Sequence, residues 1–378
     1  MSQTSVRRFL PFLLAVLLVV VLAPAARAAG KPDVVVIGTG GTISGAGPDR
    51  TNPIDYRSGQ LAIADMVGHL QPELGALADV STFQFGNRGS GSYRMSEFHA
   101  LTRAVEQQLR DADGAVVTTG TDTMEEFAYW LDLTVQSAKP VVLTGSMRPW
   151  TSISSDAQIN LFNAIRLAAS ERTRCFGTVL MLNDEFHAAR DATKTNTYRT
   201  DTFSSRRKGV LGHIDGPNIK VDRTPPRREL CSDRRRWRTP FDVDDLPAER
   251  LPRVEIVTSY QEAGGEAITA FADAGVRGIV TAGTGAGGIS SAMSAARTAA
   301  VARGVTFIST SRTGSGSVYG SSTPGIIGGG DLLPQKARIL LMLSLAFSSN
   351  PDTVREWVSR YGNPEFAAPE DDEDEDSD

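Results

Sequence analysis

Cysteine and histidine are scarce in this chain of 378 residues, with two of the first and four of the second. Cys175 and Cys231 allow one disulfide at most, and their number and spacing make no metal site. His69, His99, His187 and His213 are scattered, so surface or structural roles fit them better than a shared ligand set. No large excess of one charge is present either. The formal charge is −5, and the eight acids among residues 370–378 account for all of it. The body is close to neutral, which argues against nucleic acid or an anionic surface as an overall partner. Also missing is an apolar run long enough to span a bilayer comfortably as a stable helix.

The apolar run at residues 9–22 has a different pattern. Arg7 and Arg8 precede it, and Ala26-Arg27-Ala28 follows. This is the order of a secretory signal peptide. Cleavage is expected after Ala28, giving a secreted or periplasmic protein with no stable membrane anchor. No cysteine follows the apolar region, so a lipid anchor is not expected.

The rest of the composition is that of an ordinary folded protein, 40% hydrophobic and 22% charged. Short β-branched runs alternate with helical periodicity. Strands are predicted at residues 33–37, 80–85, 115–119, 141–144 and 177–182, and again at 254–257, 278–282 and 305–309. Helices are predicted between them. One starts at a Ser96 cap and shows Phe98, Leu101, Val105 and Leu109. A second shows Met124, Phe127, Leu131 and Val135. A third, at residues 155–169, shows Ile159, Phe162 and Ile165. Such alternation implies an α/β fold with two domains. The larger, N-terminal one has a mostly parallel sheet flanked by helices, and the smaller C-terminal one is also α/β. The expected boundaries are a signal peptide at 1–28, a catalytic domain at 29–214, a linker or loop at 215–252, a second domain at 253–366, and an acidic tail at 367–378. Six prolines and an arginine cluster at residues 223–238 make the 215–252 segment read as solvated. A nucleic-acid patch there is disfavoured, because Trp237 is its one aromatic.

The chemistry-bearing stretch is Gly120-Thr121-Asp122-Thr123, placed between a buried strand and a helix. Ligands in open α/β sheets bind beyond the carboxyl ends of the strands. Taken alone, the stretch is equally a helix cap. Thr39-Gly40-Gly41-Thr42 follows the first strand, where glycine permits a sharp turn and Thr42 can offer its hydroxyl. Residues 45–59 read as a mobile loop carrying Tyr56. Residues 86–95 form another turn rich in glycine and hydroxyls. Lys194 lies in the polar run Asp191-Ala192-Thr193-Lys194-Thr195-Asn196. A lysine becomes chemically useful when it is buried beside a carboxylate. Residues 283–288 match a dinucleotide fingerprint, but glycine is common in such turns and no acid occupies the ribose position.

Taken together, Thr39-Gly40-Gly41-Thr42-Ile43, Thr119-Gly120-Thr121-Asp122-Thr123-Met124-Glu125-Glu126 and Asp191-Ala192-Thr193-Lys194-Thr195-Asn196 resemble the bacterial L-asparaginase family, of the exported type II branch. Gly145-Ser146-Met147-Arg148-Pro149, Asn160-Leu161-Phe162-Asn163-Ala164 and Pro334-Gln335-Lys336-Ala337-Arg338 match in the same order. The resemblance implies hydrolysis of L-asparagine to aspartate and ammonia through a threonine acyl-enzyme, with no cofactor and no metal. Thr42 resembles the nucleophile, and Tyr56 the loop tyrosine that closes over substrate. Thr121, Asp122 and Lys194 resemble the assisting threonine, aspartate and lysine. Ser92 resembles the serine that grips the substrate carboxylate, by an alignment that needs a local insertion, with Ser90 as a substitute. A homotetramer with sites between paired subunits is also implied.

The chemistry fits these residue types. An amide is a poor electrophile, so a covalent intermediate helps. A threonine hydroxyl needs a proton acceptor, which a lysine relaying through Thr121 supplies if desolvation frees its amine.

Several positions depart from the family pattern. Ala286 replaces an asparagine that the second domain contributes to a neighbouring site. Residues 313–330 hold no acid. Tyr93 stands where glutamine is usual, and Ser137 occupies one place of the familiar disulfide. These changes imply a strong preference for asparagine over glutamine. The alternatives are an amidohydrolase of glutamine or another asparaginyl amide, a non-catalytic amino-acid binder on the same fold, and a nucleotide-dependent protein using residues 283–288.

Overall fold

The computed structural model describes residues 30–320 and 323–365. The expected leader, residues 1–28, and the acidic tail, residues 367–378, lie outside them. The larger sheet is formed by β1 (Asp33–Gly38), β2 (Asp79–Gln84), β3 (Gly114–Thr118), β4 (Val141–Thr144), β5 (Thr178–Leu182) and β6 (Glu185–Ala188). A small pair follows, β7 (Thr193–Lys194) with β8 (Phe203–Ser204). The hairpin β9 (Gly212–Asp215) and β10 (Asn218–Val221) then completes the large sheet, whose order is β10-β9-β6-β5-β4-β3-β1-β2. Strands β1 to β5 are parallel, and the β6, β9, β10 edge is antiparallel. The smaller sheet is all parallel: β11 (Val254–Thr258), β12 (Gly278–Gly283), β13 (Thr306–Ser311) and β14 (Ile326–Gly328). Both sheets belong to one compact unit beginning at Pro32.

Alternate residues of each strand face different layers, as the pleat requires. Val35, Ile37, Ala115 and Val117 pack on α2 (Met95–Gln108) and α3 (Met124–Thr134). Val34, Val36, Val116 and Val142 pack on α1 (Ile63–Gly68) and α4 (Ala157–Ala169). This distribution makes one connection unusual. The steps β3 to β4 and β4 to β5 run in the same direction, yet α3 and α4 lie on opposite faces. The two crossovers therefore have opposite hands. The α1 and α2 connections share the hand of α3, so α4 is the exception to the strong right-handed rule. The switch of direction also matters for the site. From β1 the chain steps one way to β2, and β3 lies on β1's other side, so a crevice opens between the turns that follow β1 and β3.

The helices α5 (Arg234–Trp237), α6 (Glu266–Asp273), α7 (Ser291–Ala302), α8 (Pro334–Phe347) and α9 (Pro351–Gly362) complete the chain. The apolar α8 packs on β11, β12 and β13 and on α3, so it joins the two sheets' layers.

Three local expectations need correction. Ser96 does not cap α2. That helix starts at Met95, and the Glu97 carboxylate accepts the Arg94 backbone N–H at 2.9 Å instead. Ile159 does not join the core of α4. It is 49% exposed, and Leu161, Ala164, Ile165 and Ala168 form the buried stripe. The segment 215–252 is not a wholly solvated stretch. It carries β10, and Trp237 and Phe241 are buried within it. Trp237 Nε1 donates to the Cys175 carbonyl at 2.9 Å, and the buried Arg227 guanidinium lies 3.9 Å over the Trp237 ring. Arg227 also donates to the Asp132 carbonyl at 2.7 Å, tying the segment to α3. Cys175 and Cys231 form a disulfide beside these contacts.

Candidate active site

Three neighbouring parallel strands, β2, β1 and β3, deliver the site from their carboxyl ends. After β1 the chain turns through Gly40 and Gly41, whose φ angles are 103° and 87°. Those values favour glycine, and Gly41 is further restricted by its neighbour. A Cβ there would meet the Gly120 backbone nitrogen at 2.2 Å. The turn bearing Thr42 therefore rests directly on the turn bearing Thr121. The Thr39 N–H and hydroxyl both donate to the Thr118 carbonyl, at 3.0 and 2.8 Å, and fix this contact.

The loop after β2 clamps the first turn from the other side. Gly41 N–H donates to the Arg88 carbonyl at 3.0 Å, and Arg88 N–H donates to the Thr39 carbonyl at 3.1 Å. The Tyr93 hydroxyl donates to the same Thr39 carbonyl, and the Arg88 guanidinium covers the Tyr93 ring at 3.9 Å. Burial raises the Tyr93 phenol above its ordinary pKa, which keeps it a donor. The residue in the unusual glutamine-to-tyrosine position thus props the Thr42 turn from behind.

Thr42 itself is buried, and its hydroxyl lies 2.7 Å from the Tyr56 hydroxyl. The loop carrying Tyr56 is tied at its neck, where Ala46 and Arg57 exchange backbone hydrogen bonds of 3.1 and 2.9 Å. On the second turn Thr121 is buried and Asp122 faces outward, its side chain 85% exposed. Lys194 comes from β7. Its Nζ donates to Thr121 Oγ1 at 2.9 Å and to Asp122 Oδ1 at 2.7 Å. Its side chain is 16% exposed, so the amine is turned into the site and away from bulk water.

Of the residues expected at the site, Thr121, Asp122 and Lys194 form one bonded group and Thr42 with Tyr56 a second, on abutting turns. Ser92 stands apart from both. It is exposed, and its hydroxyl donates back to the Gly89 carbonyl at 2.7 Å. Ser90 takes the inward position. It is buried, its Oγ accepts the Thr123 N–H at 3.3 Å, and its side chain packs on Gly120.

The glycine turn at 283–288 folds on itself. Thr284 and Gly288 pair as an isolated bridge, and α7 starts only at Ser291 with the Ser290 hydroxyl as its cap. Sequence reasoning gave no role to Glu125 or Lys336, both buried behind the site. A lysine at the third position of a strongly apolar helix was the available signal for the second.

An abutting pair of threonine-bearing turns at a sheet's switch point, with a lysine and a carboxylate bonded to one of them, brings hydroxyl, amine and carboxylate groups together where ligands of open α/β sheets bind. The chain belongs to the asparaginase family. Residues 33–227 match the family described as Asparaginase, N-terminal, and residues 253–358 match the Glutaminase/Asparaginase C-terminal domain. It is 38% identical over 344 residues to L-asparaginase 2 of Bacillus subtilis, covering 90% of this chain and 89% of that one. It is 36% identical over 335 residues to L-asparaginase 2 of Escherichia coli, covering 87% and 93%. Among solved structures, the crystal structure of a probable cytoplasmic L-asparaginase from Campylobacter jejuni superposes with a TM-score of 0.81 at 35% identity, covering 87% of this chain and 99% of that one.

Proposed function

We propose that the protein hydrolyses L-asparagine to L-aspartate and ammonia through an acyl-enzyme ester on Thr42. The observation that carries this reading is the contact of the Thr42 turn with the turn whose Thr121 and Asp122 hold Lys194. Thr42 Oγ attacks the side-chain amide carbon, and its proton passes to Lys194 through Thr121. Lys194 returns that proton through Thr121 to the amide nitrogen, which leaves as ammonia. Water, activated by the same pair, then cleaves the aspartyl ester and releases Thr42. Tyr56 orients the Thr42 hydroxyl, and backbone N–H groups of the glycine-rich turns are assigned to the oxyanion. Asp122 binds the substrate ammonium, and Ser90, in preference to Ser92, takes the substrate carboxylate.

Asparagine is the preferred amide on this reading. Ala286 and the acid-free residues 313–330 remove side chains that would otherwise hold the substrate amine, so a longer substrate is poorly anchored. Purified protein is expected to release ammonia from L-asparagine with a kcat/KM at least about tenfold above that for L-glutamine. No ammonia from either amide refutes the hydrolase reading and leaves the amino-acid binder. Comparable turnover of both refutes the preference.

Export and assembly complete the proposal. The leader pattern at residues 1–28 and the Cys175–Cys231 disulfide both suit an oxidising compartment. N-terminal sequencing of protein from the cell envelope or medium is expected to begin after Ala28, and a retained Met1 counts against export. The exposure of Asp122 leaves the hollow open on one side of a single subunit, which favours a neighbour that closes it in a homotetramer. A monomeric mass by light scattering counts against that assembly.

A further inference from the structure

Behind the candidate site lies a lysine that the mechanism does not use. Lys336 is the third residue of α8, and its side chain is 1% exposed. A buried ammonium needs all of its donors satisfied. Lys336 Nζ donates to the carbonyls of Ala189 at 2.7 Å, Arg190 at 2.9 Å and, closer still, Ala192. These carbonyls belong to the turn between β6 and β7, and the next two residues are Thr193 and Lys194.

A carboxylate joins the same cluster from the other side. Glu125 stands in the first turn of α3, just past Thr121 and Asp122, and is buried. Its Oε1 accepts the Thr193 hydroxyl at 3.1 Å. Its Oε2 lies 4.0 Å from Lys336 Nζ and has no hydrogen-bond partner. One buried pair thus touches both chain segments that must meet for Lys194 to reach Thr121.

We infer that Lys336 is a positioning residue for Lys194, its ammonium shaping the 189–192 turn and neutralising Glu125 so that β7 presents its lysine to Thr121 and Asp122. Burial pulls Lys336 down to about 8, against the opposing pull of Glu125, so the fold carries this charge at a cost. A well-packed apolar side chain would remove that cost but could not hold three carbonyls in one turn.

The activity arm of the test rests on the asparaginase reading above, and a labelling arm does not. Full-length wild type and K336M are compared at a temperature well below both unfolding midpoints. The kcat for ammonia release from L-asparagine is expected to fall roughly a hundredfold in K336M, since a misplaced catalytic group costs about that much. KM stays within about threefold, because neither Asp122 nor Ser90 is substituted. Competitive acetic anhydride labelling with peptide mapping reads Lys194 directly, and its amine is expected to label several-fold faster in K336M. If K336M does not fold, E125Q serves. It keeps an acceptor for Thr193 and removes the charge facing Lys336, with the same direction of change expected in kcat and labelling. A folded variant with wild-type labelling of Lys194 overturns the inference, and so does wild-type kcat. A wild-type protein that releases no ammonia refutes the asparaginase reading alone, and the labelling result then decides this one.

Discussion

Lys194 reaches back across 73 positions of chain to set its Nζ 2.9 Å from the Thr121 hydroxyl, while the same amine holds Asp122 at 2.7 Å. The two partners differ in environment. Thr121 is buried and Asp122 is open to solvent, so the lysine joins an interior hydroxyl to a carboxylate that a ligand can reach. Proton transfer by a positioned side chain is worth roughly a hundred- to ten-thousandfold in rate. K194M is expected to lose that much in kcat. K194R is expected to be almost as poor, because a guanidinium does not give up its proton. Steady-state ammonia release checks both, and a nearly active K194R rules out the amine as proton acceptor.

Ser90 and Ser92 separate by a second comparison. Ser90 is buried against the Gly120 turn, and Ser92 is spent on the Gly89 carbonyl. A hydrogen bond to a charged group is worth about 1.5–3 kcal/mol. S90A should therefore lower kcat/KM for asparagine by roughly ten- to a hundredfold. S92A should stay within about twofold of wild type. The reverse order would restore Ser92 to the substrate.

Acid sensitivity is expected from His187. It is 1% exposed, its Nδ1 meets the Ser205 hydroxyl at 3.1 Å, and Glu185 at 3.6 Å is beyond hydrogen-bond reach. Burial lowers its pKa to about 4 from an ordinary 6.5. Between those values the unfolded chain binds a proton that the folded chain does not, so stability falls as pH drops from about 6.5 to about 4. The full loss is roughly 3 kcal/mol. Urea midpoints measured across that window should decline in wild type and much less in H187N. Equal slopes would assign the acid sensitivity to other groups.

The disulfide makes a prediction about stability without activity. Cys175 and Cys231 are 56 residues apart, and the closed loop contains Lys194. In the chain-entropy picture a loop of that length stabilises by about 4 kcal/mol. C175S/C231S should lose that order of stability and show a lower Tm. Its kcat at room temperature should remain near wild type, because the strand that carries Lys194 pairs with β8 and Lys336 holds the turn that precedes it. A large loss of kcat in folded double mutant would show that the bridge shapes the site.

Most strands and helices of the parallel core were legible, because long buried runs and helical stripes are set by local pattern. Residues such as Val34, Val117 and Phe127 are buried where that pattern places them. The short strands β6 to β10 and β14 were not, since two to four residues carry too few alternations to register. Ile159 misled because a helix stripe is fixed by which neighbour covers it. Ser90 and Ser92 share one short turn, and only its packing on Gly120 distinguishes them. The 215–252 segment misread because Trp237 is buried and Arg227 half-buried by partners elsewhere in the chain, Cys175 and Asp132. For the same reason the roles of Glu125 and Lys336 could not be read without the fold.

The central claim is that the hydroxyls on the two abutting turns act together on one amide. The most direct measurement is kcat for ammonia release from L-asparagine by T42A and by T121A, with folding verified for each. Each variant is expected to fall by roughly a thousandfold or more. A correctly folded variant of either residue that keeps a tenth or more of wild-type kcat would contradict the account.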